Sequence, residues 1–233
     1  MNTIDFSEVL IHANDTTLEG SLSVPAGAHG IVVFAHGSGS GRFSKRNRSV
    51  ARFLNETGFA TLLFDLLTAE ENERDTLTAS YRFNIPLLSQ RLVRVIDWLI
   101  LEELTHTFAV GLFGASTGAA AALRAAAARP EHVRAVVSRG GRPDLAGDAL
   151  QQVKAPTLLL VGSRDLDVIE LNLLSTERLL CDHQLTLIPG ATHLFEEPGA
   201  LEQVEQLAAD WFSRHLLPYP RLEKIGAQSN LRH

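Results

Sequence analysis

Gly114-Ala115-Ser116-Thr117-Gly118 stands between an apolar run, Phe108 to Phe113, and an alanine-rich stretch, Ala119 to Arg129. This order predicts a strand, a very tight turn and a helix, with a serine at the apex. So tight a turn holds the serine in strained backbone. Side chains two residues to either side would collide, so glycine is required at both flanks. The strain lifts the hydroxyl above the sheet edge, and the helix beyond it points its positive end at the hydroxyl. The rest of the chain must then supply further strands and the helices that cover them.

Strand and helix patterns alternate from Gly30 to a C-terminal helix, the sign of a mostly parallel sheet with helices on both faces. Phe6 to Ala13 and Leu18 to Val24 flank the turn pair Asn14-Asp15 and predict an antiparallel hairpin at one sheet edge. Ile31 to Ala35, Ala60 to Phe64, Val133 to Val137, Thr157 to Val161 and Leu185 to Ile188 are short apolar runs, as buried strands require. Helices are expected from about Lys45 to Thr57, from a cap at Asn84, and from about Pro198 to Leu216. Asp65 to Arg82 has little periodicity and is expected as a polar connection. The 233 residues suit one domain, taken as 1–217, with a polar tail over 218–233.

Composition narrows the possible partners. Net charge is −6, which gives no footprint for nucleic acid or a membrane surface. The first residues show no basic segment leading into an apolar one, and no apolar run approaches the ~18 residues of a membrane span. Cytoplasmic residence, as a monomer or homodimer, is the expectation. Cys181 is the sole cysteine, which excludes an internal disulfide and a multi-cysteine metal centre.

A serine hydroxyl is a poor nucleophile at neutral pH and needs a base held by an orienting group. Asp165 comes just after the Thr157 strand and His193 just after the Leu185 strand, both at the carboxyl edge where Ser116 is expected. Ser116, Asp165 and His193 are therefore the candidate nucleophile, orienting acid and base, with Asp167 a rival for the acid. His106, His132 and His183 precede or enter strands and belong to the opposite edge. The backbone N–H of Thr117 is the first candidate donor to a developing oxyanion. The second is expected from His36-Gly37-Ser38-Gly39-Ser40-Gly41, with Ser38 N–H preferred over Gly37 N–H. That loop lacks the Lys-Ser/Thr ending of a phosphate loop.

With these residues in place, His36-Gly37-Ser38, Gly114 to Gly118, Gly162 to Asp165 and Gly190 to His193 resemble the α/β-hydrolase superfamily. The small size is similar to its dienelactone hydrolase-like group, which includes relatives of domains fused to phosphoribosyltransferases. The resemblance spans roughly Gly30 to Leu216 and implies the α/β-hydrolase fold, no metal and no organic cofactor. It also implies hydrolysis of a small-molecule ester through an acyl-enzyme. Thioesterase, amidase and acyltransferase activities use the same machinery, and a non-catalytic binding protein that keeps the hydrolase fold is the alternative from another class. True dienelactone hydrolases carry a cysteine where this chain has Ser116, which argues against dienelactone itself as substrate. Ser138 to Pro156 leaves room for one short helix, so the expected lid is minimal.

Three arginines are candidate contacts to an anionic substrate group: Arg42 and Arg46 after the glycine-rich loop, and Arg139 at a strand end. Pairing of the basic cluster with Glu70, Glu71 and Glu73, and of Arg139 with Asp144, are the competing expectations.

Overall fold

A computed structural model describes residues 6–13 and 16–216. The turn pair Asn14-Asp15 and the tail over 218–233 lie outside the described residues. The chain order is β1 (Ser7–Ala13), β2 (Thr16–Ser23), β3 (Ile31–Ala35), α1 (Lys45–Glu56), β4 (Ala60–Phe64), α2 (Ala69–Thr78) and α3 (Ile85–Leu101). Then come β5 (Val110–Ala115), α4 (Thr117–Ala128), β6 (Val133–Arg139), a 3₁₀ segment (Pro143–Gln152), β7 (Thr157–Gly162), α5 (Leu166–Thr176), β8 (His183–Ile188) and α6 (Ala200–Leu216). The strands form one eight-stranded sheet in the order β1-β2-β4-β3-β5-β6-β7-β8. β1 and β2 pair antiparallel, β2 joins β4 antiparallel, and the remaining pairs are parallel. This is the α/β-hydrolase fold with an antiparallel N-terminal hairpin.

The central strands are apolar on both faces because both faces are covered. On β3, Val33 points to one core and Val32 and Phe34 to the other. α1 and α6 cover the second face with Leu54, Val204, Trp211 and Phe212; α3 and α4 cover the first with Leu92, Ile96 and the alanines of α4. Ala119 to Ala122, Ala125 and Ala126 are wholly buried, so α4 lies close against the sheet that carries Ser116.

Two helices arise where the periodicity of the sequence gives no helix. α2 occupies the segment expected as a polar connection. Its outward faces are polar and Asp75 is its one buried residue, so no apolar stripe marks it. It is fixed instead by a capping box: Thr68 Oγ1 accepts from Glu71 N–H while Glu71 Oε2 accepts from Thr68 N–H. α5 begins directly after Asp165, and Leu166, Leu173 and Leu174 on it are exposed. Between β6 and β7 the whole insertion is a 3₁₀ stretch, Pro143–Gln152, kinked at Gly147, in keeping with a minimal lid.

Asp75 closes α2 onto the next loop. Its carboxylate accepts from Tyr81 N–H at 2.7 Å, Arg82 N–H at 3.0 Å and Arg82 Nε at 2.6 Å, and its carbonyl accepts from Arg82 Nη2 at 2.7 Å. Burial alone would raise the Asp75 carboxyl, but these donors outweigh it and hold the group below the usual carboxylate range. The carboxylate thus stabilises the fold above the unfolded value of about 4, and that contribution is lost as pH falls. Asp75→Ala should cost about 3 kcal/mol at neutral pH, because it strands Arg82 and two amides. Urea midpoints at several pH values check this: the native–variant gap should narrow toward acid, and a gap independent of pH would refute it.

Candidate active site

β5 delivers Ser116 to the carboxyl edge of the sheet with φ 51° and ψ −123°, a conformation an L-residue holds only under constraint. The constraint is visible. Ser116 N–H donates to Arg139 O at 3.2 Å, and Ser116 O accepts from Ala119 N–H at 3.1 Å and Arg142 N–H at 3.0 Å. The flanking glycines are required by close approach. A Cβ on Gly114 would lie 2.5 Å from Ala119 Cα, and one on Gly118 would collide with the carbonyl oxygens of Ala35 and His36.

Asp165 and His193 leave neighbouring strands, β7 and β8, through two loops that are stitched together. Ser163 Oγ accepts from Gly190 N–H at 2.8 Å, Ser163 N–H donates to Ile188 O, and Arg164 N–H donates to Ala191 O. This stitching sets the side chains at hydrogen-bond distance: His193 Nδ1 lies 2.6 Å from Asp165 Oδ2. A carboxylate accepts there, so Nδ1 carries the proton and Nε2 keeps a free lone pair. Asp165 is mostly buried and His193 about two-fifths exposed, which leaves the ring reachable from solvent. The rival Asp167 sits in the first turn of α5, and the bond to His193 is made by Asp165. Phe195, buried at φ 55°, anchors the loop beyond His193.

The histidine loop also reaches the end of β6, whose Arg139 carbonyl receives the Ser116 amide. Gly140, next to the Arg139 that receives the Ser116 amide bond, has His193 Cε1 3.6 Å from the position of a Cβ. On the other side, a Cβ on Gly37 would meet Ser116 Cβ at 3.0 Å. The glycine-rich loop therefore abuts Ser116, and the histidine loop abuts Gly140 at the strand end that holds the Ser116 amide.

Within the glycine-rich loop, His36 is a device that the sequence motif does not reveal. Its Nε2 accepts from Leu66 N–H at 3.0 Å, which forces the proton onto Nδ1, and Nδ1 donates to Gly37 O at 2.9 Å. Burial pushes the His36 pKa down, against the opposing pull of the Gly37 carbonyl and Asp65, so the ring is held neutral. The loop is thereby pinned to the end of β4. Ser38 N–H donates to Thr117 Oγ1 at 3.1 Å. A small cleft beside this bond is lined by Ser38, Gly39, Leu67, Asn72, Arg82 and Thr117. Arg82 reaches it because Asp75 holds its Nε and Nη2; its Nη1 comes within 3.9 Å of the Cβ position of Gly39. Hydrophobic periodicity does not disclose Arg82, because the helix that fixes it has no apolar stripe; the Thr68/Glu71 spacing is the signal that marks that helix.

The three arginines part company. Arg42 is tied to Asp65 and to Glu19 and Glu8 of the hairpin; burial alone would lower its pKa, but Asp65 and Glu19 outweigh it and raise it. The acids expected for it behave otherwise, with Glu71 bound to Arg91. Arg46 bridges α1 to the histidine loop through Glu196 at 2.9 Å. Arg139 is 8% exposed, donates to Asn47 Oδ1 at 3.2 Å and lies 5.8 Å from the Phe195 ring centroid. Burial, aided by the nearby charge of Arg46, pushes its pKa down to about 10. Asp144, the alternative partner for Arg139, is held by Arg142.

Among the described residues no helix is long and apolar enough to cross a membrane. The family model for the dienelactone hydrolase family matches residues 18–216. A dienelactone hydrolase crystal structure from Anabaena variabilis is 55% identical, covers 92% of this chain and 100% of its own, and superposes with a TM-score of 0.91. The esterase Est1E of Butyrivibrio proteoclasticus (17% identity, 89% and 98% coverage, TM-score 0.73) and a Pyrococcus furiosus esterase (18% identity, 92% and 92% coverage, TM-score 0.75) share the fold. Proteins from two strains of Mycobacterium tuberculosis, provisionally named phosphoribosyl transferases, are 58% identical over 209 residues, which is 90% of this chain and 46% of theirs. The chain spans about half the length of these curated relatives. From its hairpin to its last described helix, the chain belongs to the dienelactone hydrolase family, whose enzymes are of the hydrolase kind.

Proposed function

We propose that this chain is a serine hydrolase that cleaves carboxylic esters of small or soluble substrates through an acyl-enzyme. The observation that carries the reading is the 2.6 Å contact between His193 Nδ1 and Asp165 Oδ2, at the same carboxyl edge of the sheet as a serine held at φ 51°. In this reading His193 Nε2 takes the Ser116 proton as Oγ attacks the ester carbonyl carbon. The C–O bond to the alcohol then breaks, and the same proton passes to the departing alkoxide. Water, deprotonated by His193, reverses the sequence and releases the acid. Asp165 keeps the histidine tautomer and stabilises the imidazolium formed in each half-reaction. Thr117 N–H, at the first turn of α4, meets the carbonyl oxygen as it gains charge, with Ser38 on the opposite side. No step calls on a metal or an organic cofactor.

The cleft beside Thr117 is narrow and the insertion after β6 is short, which favours short acyl groups over long-chain lipids. Arg46 and Arg139, which lie together near the histidine loop, are the arginines we retain as substrate contacts. Arg42 is committed to three carboxylates and serves the hairpin instead. The transferase name of the tuberculosis relatives belongs to proteins about twice this length. The half matched by this chain has the hydrolase fold, so we assign this chain hydrolysis rather than phosphoribosyl transfer.

A fluorophosphonate tests the reading, since it phosphonylates a serine only when a base activates it. The adduct should map to the peptide that contains Ser116, and His193→Gln should slow its formation by at least ~10³-fold. Native protein that stays unmodified, or is modified at another residue, refutes the assignment.

A further inference from the structure

The Ser38 amide, expected to hold the oxyanion directly, is already spent on Thr117 Oγ1 at 3.1 Å. A hydroxyl offers one proton and two lone pairs, and an arriving N–H uses a lone pair and leaves the proton. Inside a helix that proton would go back to the carbonyl four residues earlier. Thr117 is the first residue of α4, and the residue four positions before it, Phe113, lies in β5, so that outlet is missing. Among the described residues Thr117 Oγ1 makes no hydrogen bond as donor. The residue is 4% exposed and lines the small cleft by the glycine-rich loop together with Ser38 and Gly39. Oγ1 is also three covalent bonds from Thr117 N, so it sits between the two amides that the oxyanion would face.

We infer that the Thr117 hydroxyl is itself an oxyanion donor. It receives the Ser38 N–H and donates its own proton to the carbonyl oxygen of the substrate. Only the hydroxyl hydrogen rotates; no heavy atom moves. The two bonds in line, Ser38 N–H to Oγ1 and Oγ1–H to the oxyanion, polarise each other, so the pull of the amide reaches the substrate through the hydroxyl. Thr117 N–H completes the hole from the same residue. No bond is made or broken at Thr117, and its proton remains on Oγ1 throughout. The inference rests on the reading of Ser116 as nucleophile.

The competing geometry is a plug, in which Oγ1 occupies the oxyanion position and must be displaced. For Thr117→Ala, which removes the hydroxyl together with its bulk, the two predict opposite signs: a donor loses kcat and a plug gains it. Hydrolysis of p-nitrophenyl acetate by Thr117→Val, which keeps the shape and removes the hydroxyl, should show kcat lowered about 10²- to 10³-fold, as for loss of one oxyanion donor. KM should stay within about threefold, and the pH midpoint of kcat/KM should not move, since His193 is untouched. Thr117→Ser, which restores the hydroxyl, should recover kcat to within about tenfold of native. A Thr117→Ala variant with kcat equal to or above native establishes the plug and overturns the donor. Equal impairment of the Ser and Val variants also overturns it, by assigning Thr117 a packing role alone. Thr117→Ala gives the same reading should the Val variant not fold. Ser116→Ala run in parallel separates failures: turnover surviving there sinks the nucleophile, not Thr117.

Discussion

Ser116→Ala and Ser116→Gly should each lose ester turnover by about 10⁴- to 10⁶-fold, yet the glycine variant should be the more stable protein. The loss is large because the other members of the site act through the serine: without Oγ, His193 has no proton to take and no acyl-enzyme forms. What remains is whatever the oxyanion donors do for a water molecule. Stability separates the two variants because alanine retains the Cβ and so retains the strain of φ 51° and ψ −123°. Such strain costs about 1–3 kcal/mol, and glycine relieves it while adding about 0.5–1 kcal/mol of unfolded-state entropy. A net gain of about 1–2 kcal/mol corresponds to roughly 2–8 °C in melting temperature for a chain of this size. Calorimetry beside a p-nitrophenyl ester assay checks both halves. A glycine variant that melts at or below the alanine variant would show that the elbow stores no strain. Turnover persisting in either would remove the serine from the mechanism. The native protein thus gives up stability where its hydroxyl must be exposed, a trade expected of a site that functions through a forced conformation.

How much of the fold and site is legible in the chain depends on what kind of force places each residue. β3 and β4 are readable to the residue, because strands covered on both faces run nearly unbroken in apolar residues, the one polar side chain, Thr61, being buried and bonded to Asn55. The carboxyl-edge location of Ser116, Asp165 and His193 is readable because each stands just past a parallel strand, the last of them the half-exposed edge strand β8, and a parallel sheet brings those ends to one edge. α2 is hidden because its one buried side chain is an aspartate, and the bonds that hold it are between side chains and backbone. Hydrophobic periodicity does not register such bonds. Arg42 is hidden differently. Its acids come from the hairpin and from Asp65, which the β2–β4 pairing brings together across some forty residues of chain. The acids at 70, 71 and 73 stand at a similar sequence separation from Arg42, yet none of them pairs with it among the described residues. Finally, the tautomer of His36 and the bond from Ser38 to Thr117 depend on rotamers that cross between loops, and no local pattern encodes those.

Gly118→Ala should be the most damaging single methyl in the chain. Its Cβ would land on the Ala35 carbonyl oxygen and 2.5 Å from that of His36, where real Cβ contacts are not found below 3.0 Å. Both obstacles are backbone, so no rotamer change clears them. Relief requires moving the end of β3 away from the elbow or lifting α4 off the sheet, and α4 is packed there by alanines with no slack. Ordinary overpacking costs about 1–3 kcal/mol; a clash against two fixed carbonyls should exceed that and take a large share of a total near 5–15 kcal/mol. Gly39→Ala supplies the contrast. Gly39 has φ 70°, but its Cβ would meet nothing nearer than Arg82 Nη1 at 3.9 Å, so the cost is about 1–2 kcal/mol of left-handed strain and no more. Urea midpoints rank the pair, and soluble yield does so should Gly118→Ala not fold. A Gly118→Ala protein within about 1 kcal/mol of native would mean that the elbow and the glycine-rich loop can separate freely. In that case the contact between Ser38 and Thr117 could not be held in register with Ser116. Were the variant to fold with a shifted loop, ester turnover should fall more than stability, because His36 and Ser38 move with the carbonyl that the new methyl displaces.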